Sequence, residues 1–365
     1  MAALGYGLIG AGAFGTFCLE QYGSMSEIRP IAVADENRDA AVETARAGGV
    51  EALSVDALLA RRDIDIVHLA TPPFTHRELV ERAIKAGKHV LCEKPLATNT
   101  VDGSAMIEMA KERDLLLAVN LIMRYNPLLA AVKSIIDRDL LGRPIRATFE
   151  NYATDYKLPP THWFWDPEKS GGIFVEHGIH FFDLFEWLFG PVEVLAAQQS
   201  ERPGSHVIEA VRATLAYGPV LADHYHGFHQ PKVMDRQELR IVCERGDLRL
   251  HEWVPTRVDI HFLGRTSEAE EIALLLPAFR SRSSQSANSP IKHRFQETEI
   301  DGEYRIEGAA GMNKDALYGH VVRELLRDQV AWIHNRSHVR KINEGNALRS
   351  LVVAERARTL AKIPV

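Results

Sequence analysis

Leu4-Gly5-Tyr6-Gly7-Leu8-Ile9-Gly10-Ala11-Gly12-Ala13-Phe14-Gly15 is the stretch that decides how the first third of the chain folds. A largely apolar run suited to a buried strand passes directly into a G-x-G-x-x-G pattern and then into a helix-length segment, Thr16 to Met25. Each glycine has a physical task. Gly10 permits a tight turn, Gly12 keeps a Cβ out of the path of a pyrophosphate, and Gly15 lets the helix pack closely on the strand. The N-terminus of the following helix offers N–H groups to that anion, and Ala13 and Phe14 fall beside it in the same turn.

Working outward, Asp35 follows the next strand-like run, Ile31 to Ala34, about 20 residues past the last glycine, where a carboxylate accepts both hydroxyls of an adenosine ribose. A carboxylate repels a 2′-phosphate, so NAD is favoured as the cofactor; Arg38, three residues on, can offset that repulsion and leaves NADP open. Further apolar runs, Ile64 to Ala70, His89 to Cys92 and Leu115 to Val119, alternate with amphipathic stretches of helix length and predict parallel βαβ units. Ligands of open parallel sheets bind beyond the carboxyl ends of the strands. The polar residues just past those ends are Thr71-Pro72-Pro73 with His76, then Glu93-Lys94-Pro95, then Asn120 with Arg124. We expect a dinucleotide-binding domain over residues 1–121 and a second domain over 122–365.

Composition narrows the partners. The chain has 365 residues, a formal net charge of −6 and a sequence pI near 6.3, which argues against a nucleic-acid surface and for a small-molecule ligand. No run of 18 apolar residues is present, so no membrane span is expected, and Leu4 begins a strand-like run without a charged leader before it. Cys18, Cys92 and Cys243 are far apart and lack C-x-x-C spacing, so neither a disulfide framework nor a thiolate metal cage is expected. A cytoplasmic location fits these features.

Four motifs together resemble the glucose-fructose oxidoreductase and inositol dehydrogenase (Gfo/Idh/MocA) family. They are Gly10-x-Gly12-x-x-Gly15 with Asp35; Thr71-Pro72 with His76; Gly87-Lys88-His89-Val90-Leu91-Cys92-Glu93-Lys94-Pro95; and Gly171-Gly172 followed by Gly178-Ile179-His180 and Asp183. The resemblance implies an α/β Rossmann domain followed by an α+β domain with a large open, mainly antiparallel sheet whose outer face forms subunit contacts, giving a homodimer or homotetramer. It also implies hydride transfer between nicotinamide and a sugar, inositol or related polyhydroxy substrate, with a lysine and a histidine matching Lys94 and His180 at the reacting oxygen.

The residues of the second domain read the same way. Beyond Gly142-Arg143-Pro144, strand-like runs with polar alternation follow one another: Ile145 to Tyr152, Val192 to Gln199, Val207 to Ala216, Val220 to Phe228, Leu239 to Cys243 and Val258 to Leu263. A helix is predicted over Gly178 to Phe189, and if helical geometry begins by Glu176, then Glu176, His180 and Asp183 share a face. Oxidising a secondary alcohol needs a group that takes its proton, and histidine titrates near neutrality, so His180 is the acid/base candidate. Lys94 is the cation that stabilises alkoxide character. Glu176, standing where many relatives carry aspartate, is expected to orient His180 or raise its pKa, and is the third catalytic candidate. His177, Arg124, Trp163 and Trp165 are candidates for holding substrate, the two tryptophans as a flat wall for a sugar ring or as core packing. Asp183 is expected to be a buried structural carboxylate.

His224 and His226, two apart on a strand, point to one face and, with His229, invite a metal reading; pocket lining, subunit contact or a polar sheet face explains them without one, and no metal site is expected. Arg265 to Arg294, with the serine-rich Ser281 to Pro290, reads as a loop, and Asp315 to Ile333 and Glu344 to Lys362 read as helices. Two other functions remain compatible with the residues: a redox-neutral glycosidase-type reaction that oxidises one sugar carbon transiently, and a non-catalytic NAD-binding regulator.

Overall fold

The computed structural model describes residues 3–286, 291–293 and 296–361. In chain order the strands are β1 (Leu4–Ile9), β2 (Ile28–Ala34), β3 (Glu51–Ala52), β4 (Ile66–Leu69), β5 (His89–Cys92), β6 (Leu117–Val119), β7 (Pro144–Thr154), β8 (Val192–Glu201), β9 (Ile208–Tyr217), β10 (Val220–Gln230), β11 (Arg236–Cys243), β12 (Gly246–His251), β13 (Arg257–Gly264), β14 (Ala278–Ser286), β15 (Ile291–His293), β16 (Gln296–Thr298) and β17 (Gly302–Ala309). The helices are α1 (Ala13–Gly23), α2 (Arg38–Gly48), α3 (Val55–Ala60), α4 (His76–Lys85), α5 (Thr100–Glu112), α6 (Pro127–Asp137), α7 (Pro167–Ser170), α8 (Ile179–Phe189), α9 (Thr266–Leu275), α10 (Lys314–His334) and α11 (Glu344–Ala361).

Packing divides the chain into two units, and both are discontinuous in sequence. The first gathers residues 1–122, 160–183 and 319–358; the second gathers 123–159, 184–318 and 359–365. In the first unit six strands lie in the order β3-β2-β1-β4-β5-β6, every pair parallel, which is the doubly wound dinucleotide-binding arrangement. All four residues of β4 are buried, as befits a parallel strand covered on both faces. Each fully buried Val, Ile or Leu side chain in such a layer contributes about 1.5–3 kcal/mol. Helix starts follow their caps: Asn37 accepts from the N–H groups of Asp39 and Ala40, Ser54 from Ala57 and Asn99 from Asp102.

The second unit is built on nine strands in the order β14-β17-β13-β12-β11-β7-β10-β9-β8, antiparallel throughout except for the pair β7 and β10. One face buries Ala213, Leu215, Tyr217, Ile241, Leu248, Leu250, Val258, Ile260, Phe262 and Ile306. The other carries charge pairs such as Arg146 with Asp223 and Arg240 with Asp247, the alternation expected of an antiparallel sheet with one covered face.

The expected strands are present, β1 and β5 with the expected ends and the others with shifted ends, and β3, β12, β14, β15, β16 and β17 are additions. The loop expected over Arg265 to Arg294 is corrected: α9 and β14 occupy 266–275 and 278–286, because β17 supplies the pairing partner that a serine-rich segment cannot advertise on its own. Residues 287–290 and 294 of that expectation lie outside the described residues. The helix expected from Thr16 begins three residues earlier, at Ala13, so that Gly12 becomes its N-cap.

Candidate active site

The turn after β1 has the shape its glycines require. Gly10 has φ +108°, and a Cβ there would meet the Ala70 carbonyl oxygen at 2.3 Å; a Cβ on Gly15 would meet the Gly10 oxygen at 2.0 Å. Around Gly12 nothing lies within 4 Å of a Cβ position, so the space beside this backbone is open. Helix α1 begins there with no side-chain cap and no acidic residue in its first turn, whereas α2, α3 and α5 each have both. A helix that leaves its positive end uncompensated beside open space suits an anionic ligand, and the residues present fit a dinucleotide pyrophosphate. Ala13 is exposed in that first turn, and Phe14 is half-buried with its ring 6.1 Å from Phe17. Asp35 is partly exposed past β2; its carboxylate accepts from the Ala11 N–H at 2.6 Å and the Asn37 N–H at 2.8 Å.

The polar residues past β4, β5 and β6 converge on one end of the sheet. Thr71 and Thr75 hydroxyls lie 2.7 Å apart, and Pro72 precedes a single 3₁₀ turn, Pro73–Thr75. His76 is fully buried, with Nδ1 2.8 Å from the Pro95 carbonyl and Nε2 3.0 Å from that of Thr71; it ties two loops together rather than facing outward. Burial holds its pKa below the ordinary histidine value despite both carbonyls. Asn120 donates to Glu93 at 2.8 Å.

Lys94 is held by residues from far along the chain. Gly171 and Gly172, with φ of +79° and +81°, end α7 and turn the backbone into a π-helical turn, Phe174–Gly178, which runs on into α8. From that turn Glu176 presents both its carboxylate, 2.5 Å from Lys94 Nζ, and its carbonyl oxygen, 2.9 Å away. The π turn replaces the regular helix expected around Glu176, so the three-residue face with His180 and Asp183 does not form as a straight α-helical stripe. The expected pairing is also corrected. Glu176 engages Lys94, and His180, far from having a raised pKa, is held well below its ordinary value by burial, then by the charge of Lys94, then by His177. His177 is pushed down to about 3 by burial and by Lys94. Both imidazoles are therefore neutral at physiological pH. Asp183 is fully buried.

Trp163 and Trp165 flank buried Phe164 in a 3₁₀ turn of the first unit; both are half-buried, Trp163 beside His162 and Trp165 edge-on to Phe164. Arg124 is buried in the 3₁₀ turn Ile122–Tyr125 and belongs to the second unit, as do His224, His226 and His229. His224 and His226 do share a face of β10, their rings 6.2 Å apart, but they pack among Phe149, Phe185 and Tyr217. His229 is exposed, 2.7 Å from the Tyr225 hydroxyl. Two residues with polar roles at the site went unread in the sequence. Tyr6 and His68 are fully buried in β1 and β4 and lead to Glu93, and a histidine inside the otherwise apolar run Ile64 to Ala70 was the available signal. Among the described residues, one group has donor atoms close enough to hold a metal ion: Cys18, His68 and Glu93, all within 4.8 Å of one another.

Comparison with known proteins places the chain in a family. Residues 4–121 match the family model of the Gfo/Idh/MocA oxidoreductases with an NAD-binding Rossmann fold, and residues 129–249 match a C-terminal domain model of the same family. An inositol 2-dehydrogenase of Rhizobium meliloti (strain 1021) is 35% identical over 193 residues, 52% of this chain and 57% of that one. The chain spans about half the length of the curated relatives it matches. Among solved structures, levoglucosan dehydrogenase in complex with NADH and L-sorbose superposes with a TM-score of 0.77 at 18% identity, covering 99% of this chain and 97% of that one. A 3-ketoreductase from Actinomadura kijaniata in complex with NADP gives 0.75 at 19% identity, covering 98% and 97%. At such identity these two establish the fold alone.

Proposed function

Because the chain belongs to the Gfo/Idh/MocA oxidoreductase family, we propose that it transfers hydride between a nicotinamide cofactor and a secondary alcohol or ketone of a sugar, inositol or related polyol. The observation that carries this reading is the grouping of one cation, one carboxylate and two neutral imidazoles, Lys94 with Glu176, His177 and His180, in the unit that holds the glycine-rich turn.

NAD, when bound, supplies the hydride acceptor or donor. Gly10, Gly12, Ala13, Phe14 and Gly15 would hold its pyrophosphate and Asp35 its adenosine ribose, with Thr71, Pro72, Glu93 and Asn120 bordering the remainder. His76 shapes that border from beneath. Lys94 exchanges its bond to Glu176 for one to the substrate oxygen, and its charge stabilises the developing alkoxide. His180, neutral because burial and Lys94 keep it so, takes the hydroxyl proton in oxidation and returns it in reduction. Glu176 holds Lys94 aimed until substrate arrives. Trp163 and Trp165 offer flat faces to the C–H side of a ring, and His177 a polar edge.

We place residues 1–121 as the cofactor-binding part of the chain and 122–365 as the part that supplies substrate and subunit contacts, with 160–183 and 319–358 of it packed in the unit of the glycine-rich turn, in a cytoplasmic homodimer or homotetramer. Among the described residues no helix is long and apolar enough to cross a membrane. The test is to follow reduced-nicotinamide absorbance with NAD and NADP across aldoses, inositols and sugar acids. A rise with one substrate class and a preference for NAD is the expected result; bound cofactor with no change in absorbance on any of them would overturn the assignment.

A further inference from the structure

One row of polar side chains crosses four neighbouring strands of the parallel sheet, from the middle of β1 and β4 to the carboxyl ends of β5 and β6. The Tyr6 hydroxyl lies 2.8 Å from His68 Nδ1, His68 Nε2 lies 3.0 Å from Glu93 Oε1, and Asn120 Nδ2 donates to that same oxygen at 2.8 Å. Tyr6 and His68 have no exposed surface, while the Glu93 side chain retains 11%. With one proton on the imidazole the row has a consistent direction: Tyr6 donates to Nδ1, and Nε2–H donates to the carboxylate. Both ring nitrogens are thereby used.

A sheet interior lined by Leu8, Ile9, Val67 and Leu69 would be filled more cheaply by aliphatic side chains, since buried polar groups return their desolvation cost only when fully bonded. Here Tyr6, His68 and the Asn120 amide nitrogen are bonded, and the bonds end on one oxygen of the carboxylate adjacent in sequence to Lys94; the buried Asn120 Oδ1 is the atom of the row left without a protein partner. We propose that Tyr6 and His68 are positioning residues which, acting through Glu93, fix that carboxylate in the rotamer that meets the nicotinamide cofactor; the inference rests on the reading of the first unit as a cofactor site.

Cys18 adds a competing possibility, because its sulfur lies within 4.8 Å of the His68 and Glu93 donors. A metal there would need a thiolate and a free imidazole lone pair. Burial pushes the Cys18 thiol well above its ordinary range, and the imidazole is engaged at both nitrogens, so the hydrogen-bonded row is the better account.

The test is the affinity for NADH, read by energy transfer from protein tryptophan to bound NADH, with thermal melts to check folding. His68→Leu is expected to weaken binding by about tenfold or more, Tyr6→Phe by about threefold, and His68→Gln, whose amide both donates to Glu93 and accepts from Tyr6, to return affinity to within about threefold of the parent. In a Glu93→Gln background His68→Leu is expected to add less than about twofold, because two residues acting through one contact are not additive. Should His68→Leu fail to fold, Tyr6→Phe and the Gln rescue carry the test. Unchanged affinity in the folded variants, additive losses in the double variant, or one equivalent of metal in the purified parent protein overturns the positioning role alone. Failure of the parent protein to bind NADH or NADPH at all overturns the cofactor reading and this inference with it.

Discussion

Two buried histidine pairs sit in different units of this molecule and look alike by most measures. His177 and His180 are buried in the first unit, and His224 and His226 in the second. Burial is the first cause lowering the pKa of His177, His180 and His224 alike. What differs is the company. The first pair feels the ammonium of Lys94, itself held by Glu176; the second packs against aromatic rings, with Phe185 centred 4.3 Å from His224 and Phe149 5.4 Å from His226, and the one carboxylate that acts on His224, Asp223, is tied up by Arg146, Arg212 and Thr214. A depressed histidine pKa is therefore evidence of burial first, and of chemistry only where a second charged group faces the same space.

The largest effect that separates the pairs is on turnover. Lys94→Ala and His180→Ala are each expected to lower kcat by about a hundredfold or more, the scale of a lost oxyanion partner or acid/base group, while NADH still binds by fluorescence titration. Retained turnover in both would erase the distinction. A smaller effect follows at the carboxylate. Glu176→Gln keeps the shape and removes the charge that holds Lys94, and is expected to cost about tenfold in kcat; Glu176→Asp, shorter by one methylene, is expected to cost less. If the two variants are equal, reach rather than charge sets the contribution of Glu176.

How much of this was legible before the structure depends on the range of the interactions. The glycine turn, Asp35 and the strand-end residues could be read because each acts within a few residues of its own motif, and the alternation of β9, β10, β11 and β13 could be read because a half-covered sheet writes its burial into every second residue. The partner of Lys94 could not. Glu176 reaches it through a π turn 82 residues away, and helical spacing pointed to His180 instead. Strand β14 was equally hidden, since Phe279-Arg280-Ser281-Arg282-Ser283 has no apolar alternation and β14 is defined by the strand it pairs with, whereas β17, with Tyr304 and Ile306 buried at alternate positions, carried a readable signal that was missed. Tyr6 and His68 were visible as polar residues in apolar runs, but their common destination at Glu93 required knowing that β1, β4 and β5 are neighbours.

The smallest change in turnover is expected at His224, and it is the one that sharpens the comparison most. His224→Phe places one more ring among Phe149, Phe185 and Tyr217 and is expected to leave kcat within about threefold, since no charged partner of the reacting oxygen is lost. Stability at acid pH is expected to move. In the folded protein His224 stays neutral well below its ordinary pKa of 6.5, whereas in the unfolded chain it takes up a proton as pH falls through that value. The unfolded state then binds more protons than the folded one, so the stability contributed by the neutral form is present above about pH 6.5 and is lost progressively below it. Removing the group removes that proton from the balance, and the fall in Tm between pH 7 and 5 is expected to be shallower in His224→Phe than in the parent. His180→Phe is expected to flatten the same curve for the same reason, burial being the leading cause of both shifts. Melting curves would then treat the two histidines alike while turnover tells them apart. A collapse of turnover in a well-folded His224→Phe would show instead that the aromatic-packed pair belongs to the chemistry, and that the neighbouring charge is not what marks a catalytic histidine here.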